Sequence, residues 1–305
     1  MINRVINLIF KFGIKIPYRH TSVFNNKVIQ TVIKGTFDLV WIDKGMGIKA
    51  KTLKRIKEFN PNIKIVGYSP DEMTQKHNQS YDFIHSLPYY DAYVTTKSYA
   101  VNDLKKLGAN KVLFVNNAFQ DDFHYPREIT VKEQDVLGGD IGFIGSWEED
   151  RARIILYLAK NGLKVRVWGT GSWIQYKDKF PNLTIEGKGL YSEDYCKALK
   201  AFKINLCFLR KMNLDLQTTR TMEIPACGGF MLAERTNEHL ALFEEDKEAS
   251  FFSSPAELLE KCKFYLENEE TRKMIAENGY QRCKSSGYSN IETIKSVIQL
   301  VMCEK

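Results

Sequence analysis

The sequence has few of the features that indicate a metal site, a disulfide framework or a membrane span. Its six cysteines form no C-x-x-C pair and have no histidine at zinc spacing, and the 305 residues include only five histidines. Cysteines inside apolar runs, such as Cys207, are typical of a reducing cytoplasm. No apolar run is long enough for a transmembrane helix. The sequence therefore predicts a cytoplasmic protein that uses no metal.

Two further features are missing. No G-x-G-x-x-G follows a predicted strand, which argues against a nicotinamide-dependent oxidoreductase. Basic residues are not clustered with interleaved aromatics, so no nucleic-acid partner is predicted. The 44% of apolar residues instead indicates a globular chain, and its length favours two lobes. The net charge of +7 raises the local concentration of acidic ligands.

Residues 1–16 mix apolar and basic side chains, among them Ile2, Val5, Leu8 and Arg4. Two interpretations remain open for this segment: a terminal helix packed on the protein, or a basic amphipathic segment in peripheral contact with anionic lipid.

Short β-branched runs alternate with amphipathic stretches from Phe37 onward, the pattern of βα units around parallel sheets. Four strands are predicted in the first half and six in the second. We expect an N-terminal lobe over residues 1–125, a linker over 126–139, a second lobe over 140–285, and a C-terminal helix over 286–305 that packs back across the lobes. The fold class is α/β.

Glycines follow three successive predicted strands of the second lobe. They occur in Gly145-Ser146, in Gly169-Thr170-Gly171 and in Gly187-Lys188. Ligands of doubly wound sheets bind beyond the carboxyl ends of strands, and a glycine there lets a ligand approach the backbone. The alternative is that each is an ordinary turn glycine.

The segment from Asp215 to Glu223 has the composition of an anion site at a helix start. Thr218 or Thr219 would cap a helix whose first amides and dipole favour a diphosphate, and Arg220 would add a charged contact. Glu223, one turn later, would accept the two hydroxyls of a ribose. Arg220 and Glu223 could instead form a surface ion pair.

The run from Arg220 to Leu232 resembles the R-x-x-E-x-x-A-C-G-x-x-x-L signature of two-lobed (GT-B fold) glycosyltransferases, especially the spore-maturation CgeB-like group. Further matches cover about residues 140–285, and they include Phe143-Ile-Gly145-Ser, Arg151, Val167–Trp173, Pro255–Leu258, Arg272 and Ile275–Gly279.

This resemblance implies two Rossmann-like lobes and transfer of a sugar from a nucleoside diphosphate sugar to an acceptor hydroxyl, in surface glycan or glycoconjugate synthesis, with no cofactor or metal. Glu223 fits the second position of an E-x7-E pair and Asp215 the first, which favours a retaining enzyme. Arg220, with Lys211 and Arg151, would face the leaving diphosphate. For inversion, Asp71 would be the base.

The first lobe resembles the acceptor side more loosely, through Tyr68-Ser-Pro-Asp71 and Asn116–Pro126. The opening strand and glycine loop of that lobe are missing, so we expect a shortened N-terminal lobe whose acceptor site is rebuilt, open, or completed by a partner in a homo-oligomer. Two alternatives remain: a non-catalytic module that binds a nucleotide-sugar or glycan, and a sugar-nucleotide epimerase of the same fold.

Overall fold

A computed structural model describes residues 2–10, 12–14 and 16–303, apart from the side chain of Asn7. Met1, Lys11 and Lys15 of the predicted N-terminal segment and the last two residues of the predicted C-terminal one lie outside this range. The chain divides into two compact units: a first unit up to Asn116 together with the chain from Ile294, and a second unit of Asn117–Thr293. Within the described residues, no helix combines the length and apolarity needed to cross a bilayer.

The first unit contains a four-stranded, all-parallel sheet in the order β1-β2-β3-β4. Its strands are β1 (Leu39–Asp43), β2 (Lys64–Ser69), β3 (Ala92–Thr95) and β4 (Val112–Phe114). Its helices are α1 (Ile2–Phe10), α2 (Ser22–Lys34), α3 (Ala50–Phe59), α4 (Tyr81–Ser86) and α5 (Val101–Lys106).

Apolar side chains cover both faces of the first sheet. One face packs Ile65 against Leu53 and Ile56 of α3 and Phe83 of α4. The other face, including Val66 and Val94, is covered by Val297 and Val301, which belong to a helix at the end of the chain, Asn290–Met302. Burial of these two valines is the reason why the chain from Ile294 groups with the first unit.

The second unit contains a six-stranded parallel sheet. Its strands are β5 (Gly139–Ile144), β6 (Val165–Trp168), β7 (Leu183–Ile185), β8 (Phe202–Cys207), β9 (Met231–Glu234) and β10 (Ser250–Phe252). The spatial order is β10-β9-β8-β5-β6-β7. The direction of winding therefore reverses between β5 and β8, which makes their carboxyl ends the topological switch point where such sheets bind ligands.

The helices of the second unit cover both faces of this sheet. They are α6 (Val131–Leu137), α7 (Glu149–Lys160), α8 (Ser192–Ala201), α9 (Thr219–Ala226), α10 (Asn237–Leu242), α11 (Pro255–Glu267) and α12 (Glu269–Ser285), and the last helix of the chain, Asn290–Met302, is α13. Phe143 and Phe208 pack with α7 and α11 on one face, and Phe202 and Phe251 pack with α8 and α9 on the other.

The chain passes from one unit to the other earlier than the predicted linker. Phe119 is buried in the core of the second unit, so the chain from Asn117 groups with that unit. Residues 126–139, predicted as the linker, contain α6, which begins at a capping box between Thr130 and Glu133 and buries Leu137.

Candidate functional site

The start of α9 lies at the switch point of the second sheet. The Nε of Arg220 donates a hydrogen bond to the carbonyl of Ile144, the last residue of β5, over 2.7 Å. Thr219 is exposed and Arg220 is half-buried. The first turn of α9 and the guanidinium of Arg220 are thereby held beside the carboxyl end of β5.

The predicted Arg151 also lies at this edge, but its contacts are internal. Its terminal nitrogens donate to the carbonyls of Ser146 and Leu209, each over 3.2 Å, and Nη1 lies 3.3 Å from the carboxylate of Glu148. Burial lowers the pKa of the guanidinium, with the Glu148 charge acting against this shift. Arg151 thus ties the loops after β5 and β8 together.

Hydrogen bonds from a neighbouring helix fix the start of α9. The Oγ1 of Thr221 accepts from the amide of Thr218 over 3.0 Å and lies 2.9 Å from Nε2 of His239. The Nδ1 of His239 lies 2.6 Å from the carbonyl of Glu234, so Nδ1 carries the proton and Nε2 accepts from the Thr221 hydroxyl. Thr221 and His239 are fully buried, and burial lowers the pKa of His239.

Glu223 lies one turn after Arg220, and its contacts go to other parts of the unit. The Tyr195 hydroxyl donates to Oε2 over 2.5 Å, and Nε2 of His124 lies 3.8 Å from Oε1. The amide of Gln120 donates to Nδ1 of His124, which places the His124 proton on Nε2, toward Glu223. Burial lowers the pKa of His124, although the Glu223 charge opposes this shift. The predicted ion-pair alternative for Arg220 and Glu223 is not the arrangement observed.

Charged side chains line the carboxyl edge around β5, β8 and β9. Lys211 pairs with Glu234, and Nε of Arg210 lies 3.4 Å from Glu148. Arg151 also pairs with Glu148. By contrast, the Nε of Arg220 bonds to a backbone carbonyl, so its positive charge can still attract an anionic ligand.

Asp215 lies in the loop between β8 and α9. It is half-buried, and its amide donates to the carbonyl of Arg210 over 3.3 Å. The preceding Leu214 adopts a left-handed conformation with φ of 52°, so the chain turns sharply before Asp215. The structure thus brings Asp215 into the same unit as Arg220 and Glu223.

The glycines after the strands have different roles. A Cβ on Gly169 would lie 2.2 Å from the carbonyl oxygen of Gly145, which also accepts a hydrogen bond from Trp173. Gly169 is therefore required by the packing of two loops. By contrast, Gly171 and Gly187 are exposed and have positive φ angles of 76° and 69°.

Lys188 and Ser146 lie on the surface of the strand-end loops. Both residues are exposed. The Lys188 Nζ lies 5.5 Å from the ring centroid of Trp168, the last residue of β6, within cation–π range. Lys188 is thus directed toward the carboxyl end of β6.

Asp71 belongs to the first unit, whereas the other predicted site residues belong to the second. It follows β2 and pairs with Lys44, which follows β1, over 2.5 Å. Its amide donates to Oγ of Ser69, as in a local turn. Within the described residues, no group of three or more metal-ligating side chains is present in either unit.

Tyr195, His124 and His239 were not among the predicted site residues. Tyr195 is 28 positions from Glu223, and His239 is 18 from Thr221. No local pattern pairs His124 with Glu223. These contacts exist only after α8, α9 and α10 have packed.

Residues 151–299, which are 149 of the 305, match a family model described as "Glycosyl transferase-like". Among solved structures, Anabaena HepE in complex with UDP-glucose is similar with a TM-score of 0.65 and 11% identity, over 94% of this chain and 85% of that one. No curated protein matches significantly.

Two further structures are similar over most of this chain. A glycosyltransferase from Rickettsia africae has a TM-score of 0.62 and 10% identity, over 96% of this chain and 85% of that one. Sucrose-phosphate synthase from Thermosynechococcus elongatus has a TM-score of 0.61 and 10% identity, over 93% and 79%. At these identities the similarity concerns the fold. The chain has the α/β fold of two-lobed (GT-B) glycosyltransferases, with parallel sheets of four and six strands, and about half of it matches the glycosyl transferase-like family model.

Proposed function

We propose that this protein is a glycosyltransferase that moves a sugar from a nucleoside diphosphate sugar to an acceptor hydroxyl, in surface glycan or glycoconjugate synthesis. One observation carries the proposal: the start of α9 lies at the switch point of the second sheet, with Arg220 beside it and Glu223 one turn later. The family match over residues 151–299 includes all of α9 and supports the same activity.

The diphosphate of the donor binds at the start of α9. The first amide groups of a helix point outward and the helix dipole is positive there, so an anion is favoured. The contact of Arg220 Nε with Ile144 fixes the plane of the guanidinium. A guanidinium has five N–H donors, and those on its terminal nitrogens suit bidentate contact with a phosphate.

The ribose of the donor binds at Glu223. A carboxylate has about four acceptor positions, and the Tyr195 hydroxyl uses one of them on Oε2. Tyr195 and His124 hold the side chain in one orientation, so that its remaining positions can accept the two ribose hydroxyls. Each hydrogen bond to a charged group contributes about 1.5–3 kcal/mol.

In the proposed reaction the acceptor oxygen forms a bond to the anomeric carbon, and the bond from that carbon to the phosphate oxygen breaks. The diphosphate leaves with the electron pair, and Arg220 and the start of α9 stabilise its growing charge without a metal. We favour retention, with Asp215 facing the transferred sugar; the acceptor then approaches on the same face as the leaving diphosphate, and its proton passes to the departing phosphate oxygen. For inversion, Asp71 would take the acceptor proton.

The nucleotide specificity is the first quantity to measure. Anabaena HepE has been crystallised with UDP-glucose and with UDP, so uridine nucleotides are the first probes. A thermal-shift screen compares UDP, GDP, ADP, CDP and dTDP. A ligand at 100 times its dissociation constant adds about 2.7 kcal/mol to the free energy of unfolding. A screen in which no nucleotide stabilises the protein would refute the proposal.

Activity is then tested with the stabilising nucleotide-sugar. We expect Arg220→Ala and Glu223→Ala to abolish donor hydrolysis and transfer while the protein stays folded. Arg153→Ala is the control, because Arg153 is exposed on α7 and pairs with Asp150 of the same helix. Binding without turnover would indicate the non-catalytic module, and epimerisation of the donor without an acceptor would indicate an epimerase.

A further inference from the structure

Almost all of the net charge of this protein lies in its first 37 residues. The segment 1–37 contains no aspartate or glutamate and six basic residues: Arg4, Lys11, Lys15, Arg19, Lys27 and Lys34. The whole chain has 44 basic and 37 acidic residues, so residues 38–305 hold 38 basic and 37 acidic residues and a net charge of only +1. The positive charge is therefore a local property of the N-terminal segment.

The helix α1 in this segment is apolar on two sides. Ile6 and Phe10 are buried, with exposures of 5% and 7%, and fasten the helix to the first unit. Ile2, Val5 and Leu8 are about half exposed, at 50%, 54% and 55%. A packed helix normally presents polar residues to solvent, so a second apolar side indicates a further contact.

The apolar exposure continues beyond α1, with Phe12 exposed to 80% and Ile14 to 51%. Arg19 is exposed and lies next to α1, because Asn3 bonds to both its amide and its carbonyl, over 3.1 and 3.3 Å. We define the N-terminal surface by these exposed residues: Ile2, Arg4, Val5, Leu8, Phe12, Ile14 and Arg19.

The N-terminal surface is held in place by the body of the first unit. The amide of Tyr18 donates to Asp82 of α4 over 2.8 Å, which anchors the segment between α1 and α2. Because α1 is also fixed through Ile6 and Phe10, the exposed side chains are presented by an ordered element. A preformed surface binds with less loss of conformational entropy than a disordered tail.

We propose that the N-terminal surface docks this protein on a membrane that contains anionic lipids. Exposed aliphatic and aromatic side chains can enter the boundary between headgroups and acyl chains, while Arg4 and Arg19 contact the headgroups. A second copy of this chain is a poorer partner, because it would bring another segment with six cations and no carboxylate against the first. This inference does not rest on the proposed transferase activity.

The test is co-sedimentation of the full chain with vesicles of phosphatidylcholine alone and with added phosphatidylglycerol, at low and high salt. We expect binding to the anionic vesicles and weakening of that binding by salt. The variant Val5→Ser with Leu8→Ser should lower the affinity about ten-fold or more, since it removes two inserting side chains. The matched control is Phe264→Ser with Met274→Ser, two residues of the second unit that are similarly exposed, at 50% and 56%.

A second pair of variants tests the contribution of positive charge to vesicle binding. Arg4→Gln with Arg19→Gln should weaken binding to anionic vesicles and reduce the effect of salt. Lys177→Gln with Lys179→Gln, at exposed positions of the second unit, removes the same charge elsewhere and should leave binding unchanged.

Three outcomes would overturn the proposal: the protein does not bind the vesicles, the Val5 and Leu8 variant binds as tightly as the wild type, or the control variants lose as much affinity as the N-terminal variants. Light scattering distinguishes a second copy as the partner. A mass that rises with concentration and is lowered by the Val5 and Leu8 substitutions, with vesicle binding unchanged, would identify an interface between copies. If those substitutions unfold α1, Phe12→Ser replaces them, because Phe12 lies outside the helix.

Discussion

At the scale of single residues, the carboxylate of Glu223 depends on Tyr195. We expect Tyr195→Phe to weaken binding of the stabilising nucleotide up to about ten-fold, because the lost hydrogen bond to a charged group is worth about 1.5–3 kcal/mol and part of the orientation remains through His124. Isothermal titration calorimetry with the nucleoside diphosphate measures the change. A donor affinity equal to that of the wild type would contradict a role of Tyr195 in holding Glu223.

The chain offers a matched control for this substitution. The Tyr265 hydroxyl donates to the carboxylate of Asp246 over 2.8 Å, near the amino end of β10 and away from the carboxyl edge of the sheet. Tyr265→Phe removes the same kind of contact. Tyr265→Phe should lower the free energy of unfolding about as much as Tyr195→Phe does, and it should leave nucleotide affinity unchanged.

At the scale of secondary-structure elements, the start of α9 depends on Thr221. Thr221→Val removes the acceptor of the Thr218 amide and the donor to His239 in a buried place. We expect a loss of about 1–3 kcal/mol in the free energy of unfolding and several-fold weaker nucleotide binding, since the helix start is no longer fixed. Urea denaturation and calorimetry measure the two effects.

Thr52→Val is a control that separates the effect on stability from the effect on nucleotide binding. Thr52 is buried in the first unit, and its hydroxyl donates to the side chain of Asn25 over 2.6 Å. Its replacement should cost stability without changing nucleotide affinity. If Thr221→Val, like Thr52→Val, lowered stability and left nucleotide affinity unchanged, α9 would not be the element that binds the diphosphate.

At the scale of the whole molecule, stability depends on the protonation of the fully buried His239 and the partly buried His124. Burial lowers the pKa of His124 and His239 below the ordinary value of 6.5. In the unfolded chain both histidines take up protons near that value, whereas in the folded protein they do so only at lower pH. The unfolded state therefore binds more protons, and the free energy of unfolding should fall as the pH drops from about 7 through 6.

The contribution of His239 to this slope can be isolated. Each such histidine adds at most about 1.4 kcal/mol per pH unit to the slope. His239→Gln should flatten the dependence of the free energy of unfolding on pH, whatever it does to stability at pH 7. Urea denaturation at several pH values gives the slopes. An unchanged slope in His239→Gln would show that its protonation is not linked to folding.

The sequence by itself determined the α/β class and the strands, whereas α6 lies in the segment predicted as a linker. The alternation of β-branched and amphipathic runs predicted four strands in the first half and six in the second, and the two sheets contain these numbers. Thr218, one of the two predicted capping residues, is the N-cap of α9. These features follow from periodicity and capping, which depend on residues close together in the sequence. The same patterns predicted Arg220 and Glu223 as donor-binding residues, because the anion-binding property of a helix start is local.

Only the tertiary structure decided what each side chain contacts. Arg220 bonds to Ile144, which is 76 positions away, and Arg151 bonds to Leu209, which is 58 positions away. Gly169, predicted to let a ligand approach the backbone, is required by the packing of two loops. Burial of Phe119 in the second unit places the boundary between the units before the predicted linker. Such distant residues come together only when apolar side chains along the whole sheet are buried against the helices. For this reason local sequence could predict which residues carry charge at the site but not which of them are already paired.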